Sequence, residues 1–318
     1  MNEPEVLFHY TDAAGLIGIV SNPCPPEAWT SEISLRGGLN LRASDVRYLN
    51  DSAELHFGAK AVADELLTLS NESDDLSRDV AKALQSLAAE LADDRIEIDW
   101  ATHRSRLAIH AACFCEDGDL LSQWRGYGAN GGGYAIGIPR ELLANSTFRF
   151  SQGVLMMRVE LHRVWYGQEN AKGVAHGTVD HLVEPLPDGL PPIEGDQITD
   201  FARTSVMHAI AQIKDDGFAE ENEWRLIAET SGYDFTEFRP SPKGVTPYID
   251  LYINPKTTGK DPVLQHLPSL DEAQPTISQL FVGPGPDQEL RIEAVKRLLL
   301  KNGHDPDVVI GSKVPYRP

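Results

Sequence analysis

Apolar residues recur along this chain with two periods. Short runs that alternate, or that stay apolar for a few residues, read as strands: "EVLFHY", "LNLRAS", "LAIHAACFC", "GYAIGI", "GVLMMRVEL" with "HRVWY", "NEWRLIAET", "TPYIDLYI" and "SQLFVGP". Apolar positions three and four apart predict helices near 12–20, 51–69, 76–92, 119–126, 198–213 and 287–302. Many strands with unevenly placed helices predict an α+β fold rather than a regular βαβ series. The stretch "EPLPDGLPPIEGD", residues 184–196, is rich in proline and glycine and reads as a loop. The strands on either side look unable to build separate cores, so one domain over 1–318 is expected. Within it, residues 63–94 read as an acidic helical insert, two surface helices and a turn whose charge is a solvated face.

Composition narrows the function classes. The formal net charge of −20 opposes non-specific attraction to phosphate backbones and excludes a basic, nucleic-acid-coating protein. It leaves room for a locally basic cleft on an acidic body. No run of about 18 apolar residues is present, so no membrane span is predicted. "MNEPEVLFHY" lacks the basic and apolar regions of a signal peptide, and a cytoplasmic location is expected. Only three cysteines occur, Cys24, Cys113 and Cys115. The last two fall on one face of a buried strand, which suits a reducing compartment and makes a poor zinc knuckle.

Candidate chemistry gathers where strands meet helices. In "VLFHYTDAAGLIGIV", His9, Tyr10 and Thr11 end the first strand just where a helix begins. Thr11 or Asp12 can cap that helix, and the same place suits a ligand site, because strand ends beside helix starts collect free donors. In "LNLRASDVRYLNDSAE", a strand carries Arg42 and Ser44, and Asp51 with Glu54 resembles a capping box. In "CFCEDGDLLSQWRGYGANGGGYAIGI", Trp124, Arg125 and Tyr127 precede a glycine run and Tyr134. The glycines lack the Lys-Ser/Thr ending of a phosphate-binding loop, yet they permit close backbone approach, and the neighbouring rings and cation suit an aromatic, phosphate-bearing ligand. In "FAEENEWRLIAE", strand alternation puts Glu221, Glu223 and Arg225 on one face. Two such carboxylates repel unless one is paired, and Arg225 offers a structural ion pair.

These motifs, with "FVGPG" and "SKVPYR", follow the order of the bacterial domain of unknown function 2971 family along nearly the whole chain. That pattern in turn resembles the ADP-ribosyltransferase superfamily. The resemblance implies a split, mostly antiparallel β-sheet cleft with peripheral helices and NAD as substrate. It also implies Glu223 as catalytic carboxylate, His9 positioning the ribose, and Glu221 as the first acid of a Glu-x-Glu turn. Tyr10, Thr11, Arg42, Ser44, Trp124, Arg125, Tyr127 and Tyr134 would line the NAD site, with Ser44, Tyr127 and Tyr134 alternative middle-motif residues. About 90 residues follow Glu223, where many members of the superfamily nearly end. An oxocarbenium-like transition state at the nicotinamide–ribose bond would be stabilised by such a carboxylate.

Three functions are therefore expected in competition. The first is an NAD-consuming enzyme, an ADP-ribosyltransferase or NAD glycohydrolase of toxin or anti-phage type. It would act on a macromolecular acceptor, protein or nucleic acid, with a possible inhibitory or sensor partner. The second is a catalytically inert ligand-sensing or interaction module on the same fold. The third is a metal-dependent hydrolase or nuclease using Asp51, Glu54, Glu116 and Asp117, although no compact metal-ligand motif is present. Whether Glu223 faces a cleft with His9 or is tied up by Arg225 separates the first two.

Overall fold

A computed structural model describes residues 3–21, 37–49, 52–72, 76–92, 107–127, 132–145, 159–183, 196–231, 236–241, 244–253 and 275–315. Asp51, Cys24, the 184–195 stretch and the side chain of Glu54 lie outside the described residues. In chain order the strands are β1 (Val6–Thr11), β2 (Leu39–Asp45), β3 (Leu107–Cys115), β4 (Tyr134–Pro139), β5 (Val159–Arg163) and β6 (Trp165–Tyr166). They continue as β7 (Ile213–Lys214), β8 (Glu223–Ser231), β9 (Glu237–Ser241), β10 (Gly244–Ile253), β11 (Gln279–Val282) and β12 (Val309–Gly311). The helices are α1 (Ala13–Ser21), α2 (Ser52–Glu72), α3 (Arg78–Ala92) and α4 (Leu121–Tyr127). The remaining four are α5 (Arg140–Asn145), α6 (Gly167–Val183), α7 (Asp196–Ile210) and α8 (Gln288–Asn302).

Ten strands form one sheet, antiparallel throughout except for the β11/β12 pair. Its centre is β3. One edge of β3 pairs with β8 from Leu107↔Ser231 to Cys115↔Glu223. The other edge is shared: β1 takes one end through Phe8↔Cys115, and β2 takes the middle through Ser44↔Ala111 and Asp45↔His110. A strand has only two hydrogen-bonding edges, so β1 and β2 leave β3 at different heights and the sheet forks between them. One prong continues as β1-β4-β11-β12 and the other as β2-β10-β9.

Alternation decides which face each residue covers. Leu7, Leu41, Phe114, Ile136 and Leu226 turn to one side, where Leu16 and Ile19 of α1, Leu143 of α5 and Leu299 of α8 seal them. Ile109, Ala111 and Ile227 turn to the other, under α2, α3, α6 and α7. Phe8, Tyr10, Cys115 and Trp124 extend that second side beneath α4. The result is an α+β unit with helices on both faces of a mostly antiparallel sheet. A close approach explains two glycines here, since a Cβ on Gly118 or Gly137 would sit 2.5 or 2.7 Å from the Phe8 ring.

Candidate functional site

Glu223 opens β8 just after a 3-10 turn, Asp216–Glu221, and a left-handed Asn222. Glu221 therefore ends a turn and is not on the strand, which corrects the expected shared strand face. Glu223 is 3% exposed. Its Oε1 accepts from Arg225 Nε at 2.7 Å, and its Oε2 accepts from Arg225 Nη2 at 3.1 Å and Lys214 Nζ at 2.9 Å. Lys214 also donates to Glu221 Oε2 at 2.7 Å, and Arg225 Nη1 donates to the Ala211 carbonyl at 2.9 Å. The Tyr166 hydroxyl accepts from the Glu223 N–H at 2.8 Å. Burial alone would raise the Glu223 pKa, but the charges and hydrogen bonds of Arg225 and Lys214 override it and hold it down to about 2. Two carboxylates and two cations close on each other.

His9 is on the other side of the sheet. Phe8 pairs with Cys115 and Cys115 with Glu223, so Phe8 and Glu223 share a face and His9 faces away from both. Its ring lies 5.7 Å from that of Phe114, and β3 stands between it and Glu223. The expected cleft holding His9 and Glu223 on neighbouring strands is thus not formed. The aromatic residues beside the glycine run also depart from the proposed ligand cradle, and residues 128–131 of that run lie outside the described residues. Trp124 is fully buried, packs edge-on against Tyr10 at 4.8 Å and donates to Asp119 Oδ1 at 2.9 Å. The Tyr10 hydroxyl donates to the Asp117 carbonyl and accepts from the Leu120 N–H, both at 2.9 Å. Tyr134 is buried in the α1/α8-side core, whereas Arg125 and Tyr127 are exposed on α4. These positions serve packing, turn closure or the surface. Among the acids of the metal-hydrolase reading, Glu116 accepts from Trp224 Nε1 and Asp117 accepts from the Asp119 N–H, as turn residues do.

What does gather is in the fork. Register places Ser44 opposite Tyr248, Tyr248 opposite Glu237, and Thr246 opposite Arg239. Arg239 Nη2 donates to Ser44 Oγ at 2.8 Å, and its Nε is buried without a hydrogen-bond partner. The Arg42 guanidinium carbon lies 5.2 Å from the centre of the Tyr248 ring. Helix α1 closes over Arg42, where a Cβ on Gly18 would be 3.1 Å from Nη2. Burial and then the Arg42 charge lower the pKa of Arg239. Burial, opposed by a ring hydrogen bond to the Cys113 carbonyl at 2.9 Å and assisted by the Arg239 charge, lowers that of His9. Among the described residues neither Arg42 nor Arg239 forms an ion pair. Asp12 caps α1 by accepting from the Gly15 N–H at 2.7 Å, so the cap falls to Asp12, and Thr11 lies against Gly15.

The fork therefore holds Arg42 and Ser44 of the expected ligand residues on one prong, with His9 on the other prong and within reach of the Arg239 charge. Sequence reading missed Glu237, Arg239, Tyr248 and, in the closed cluster, Lys214. Residues 123–226 match the model of a family described as Protein of unknown function (DUF2971). The match supports that family reading over this segment, which runs from α4 to the start of β8. No curated protein and no solved structure matches the chain. The DUF2971 segment contains Lys214, Glu221 and Glu223, while His9, Arg42 and Arg239 lie outside it. No helix among the described residues is long and apolar enough to cross a membrane.

Proposed function

We propose that the chain is a ligand-binding module of ADP-ribosyltransferase-like type that takes an NAD-class dinucleotide in the fork, with Glu223 as a structural rather than a catalytic residue. The observation that carries this reading is a pair of arginines that form no ion pair among the described residues, Arg42 over the Tyr248 ring and Arg239 on Ser44 Oγ, with the Arg239 charge felt at His9. Guanidinium forks match pyrophosphate oxygens in pairs, and a Tyr face stacks a base or nicotinamide ring. A buried Arg239 Nε without a partner costs free energy until an acceptor arrives.

Glu223 supports the non-catalytic side of the proposal. A carboxylate that must answer a transient positive charge cannot already be neutralised by two cations. A second reading rests on one observation, that Glu237 is exposed and opposite Tyr248 in register. In that reading the module also cleaves NAD and Glu237 is the carboxylate that stabilises the ribosyl cation, with a macromolecule or water as acceptor.

The test is calorimetric titration of NAD into the full chain, with nicotinamide release followed in the same samples. Binding that weakens roughly 10- to 100-fold in Arg239→Gln is expected, as for loss of a charge-assisted contact. Release that disappears in Glu237→Gln selects the second reading. Absence of NAD binding, or release that depends on Glu223 in a folded variant, overturns the proposal.

A further inference from the structure

We infer that Glu160, His162 and His208 form a binding site for a first-row divalent metal, zinc foremost, with its open coordination position facing a cavity between α6 and α7. This site shares no residue with the fork and does not rest on the reading of it.

Glu160 and His162 are two apart on β5 and so point to the same side of the sheet, where α7 carries His208. His162 Nε2 lies 3.0 Å from Glu160 Oε2 and 3.0 Å from His208 Nε2, and the third side of the triangle is 3.8 Å. Bonds of about 2.0–2.1 Å at tetrahedral angles would set ligand atoms roughly 3.3 Å apart. The triangle already has that size.

Proton accounting points the same way. Glu229 on β8 accepts from His208 Nδ1 at 2.9 Å, so a neutral His208 ring presents a lone pair at Nε2. Glu160 offers only acceptor oxygens when ionised. A single proton on His162 Nε2 would have to serve both neighbours, whereas a metal ion at the centre takes a lone pair from all three. Glu229 then acts as the carboxylate that orients a metal-bound imidazole, a recurrent outer partner in such sites.

The cavity gives the metal something to do. It holds about 390 Å³ and is lined by both histidines together with Thr178, Ser205, Gln212 and Trp165. Gly173 and Gly177 line it too, and a Cβ on either would meet nothing within 4 Å, so the α6 wall is open at these two positions. Three protein ligands beside an open cavity are the arrangement of zinc sites that keep a position for water or an oxygen-donor ligand. Sequence spacing hides the set, because its members are drawn from β5, α7 and β8 over about 70 residues.

The experiment is equilibrium dialysis of the full chain against Zn²⁺, paired with the visible spectrum of the Co²⁺-loaded protein. One metal per chain and a four-coordinate Co²⁺ spectrum are expected. His162→Ala and His208→Ala should each lower affinity at least 100-fold, while His176→Ala, which removes a separate surface pair with Glu65, should leave it unchanged. Glu229→Gln keeps an acceptor for His208 and should cost about 10- to 100-fold with a shifted Co²⁺ spectrum, and Glu229→Asp should recover part of it. If His208→Ala fails to fold, the more exposed His162 carries the test. No bound metal, or binding that survives His162→Ala, overturns the site.

Discussion

The fork and the Glu223 cluster are made of the same residue types and behave oppositely. Around Glu223, Arg225 and Lys214 face two carboxylates, every charge has an opposite within 2.7–3.1 Å, and the group is shut in the interior. In the fork, Arg42 and Arg239 approach each other, lean on Tyr248 and Ser44, and form no ion pair among the described residues. Balanced, buried charge locks a turn onto the end of a strand. Arginines with carboxylates near them in register but none in an ion pair among the described residues are, on the proposed reading, available to an anion. A Glu, an Arg and a ring near one another in sequence cannot tell these cases apart; the sign and burial of the neighbours do.

The largest expected effect comes from breaking the balanced side. Glu223→Gln leaves Arg225 and Lys214 without their shared carboxylate, and a broken buried pair of this kind costs about 3–5 kcal/mol. Denaturant unfolding should show it as a lower midpoint at unchanged slope. A variant within about 1 kcal/mol of wild type would mean that the cluster is not what holds the start of β8.

Acid should find the same cluster. The folded pKa of Glu223, about 2, lies below the ordinary value near 4.3. A depressed carboxylate contributes stability that is complete above the unfolded pKa and is lost as pH falls through the folded one. The loss should therefore run from about pH 4.3 down to about pH 2 and total on the order of 3 kcal/mol. Buried His110, held down to about 4 mainly by burial, begins a separate decline below its ordinary 6.5. Glu223→Gln should flatten the lower limb and leave the upper one. A wild-type profile that is flat below pH 4 contradicts the ion-pair account.

The unbalanced side should respond weakly in stability. Arg239→Gln removes a repulsion from Arg42 and one hydrogen bond to Ser44, so its unfolding free energy should stay within about 1 kcal/mol of wild type. A loss of about 3 kcal/mol would place Arg239 among the structural charges, with Glu223. Smaller still, Arg125→Ala on the exposed face of α4 should change stability by no more than about 0.5 kcal/mol. A larger change would restore a role to that arginine.

Much of the architecture was legible from local pattern. Strand alternation located β1, β3, β4, β8 and β10, and the α+β class followed from them. Helix α6 was not legible: its buried residues are small, Ala171, Ala175 and Val179, and Gly173 and Gly177 lower helix propensity. Strand β9 was missed because it is an edge strand that carries Pro240 and exposes Phe238. The fork lay beyond sequence reading for another reason. It exists because β1 and β2 share one edge of β3, a long-range pairing that no local signal encodes. Placing His9 and Glu223 in one cleft failed on parity, since one residue along a strand decides the face. His9, Arg42 and Ser44 could be singled out because they are polar positions within otherwise apolar strand runs, whereas Arg239 and Tyr248 needed the β9/β10 register to be seen.

The most direct test of the central claim is thermal unfolding of wild type, Glu223→Gln and Arg42→Ala, each with and without saturating NAD. A ligand at 100 times its dissociation constant stabilises the native state by about 2.7 kcal/mol. Glu223→Gln should melt well below wild type yet keep the full rise with NAD, and Arg42→Ala should melt close to wild type yet lose the rise. The reverse pattern, in which Glu223→Gln loses the rise and Arg42→Ala keeps it, would contradict the account.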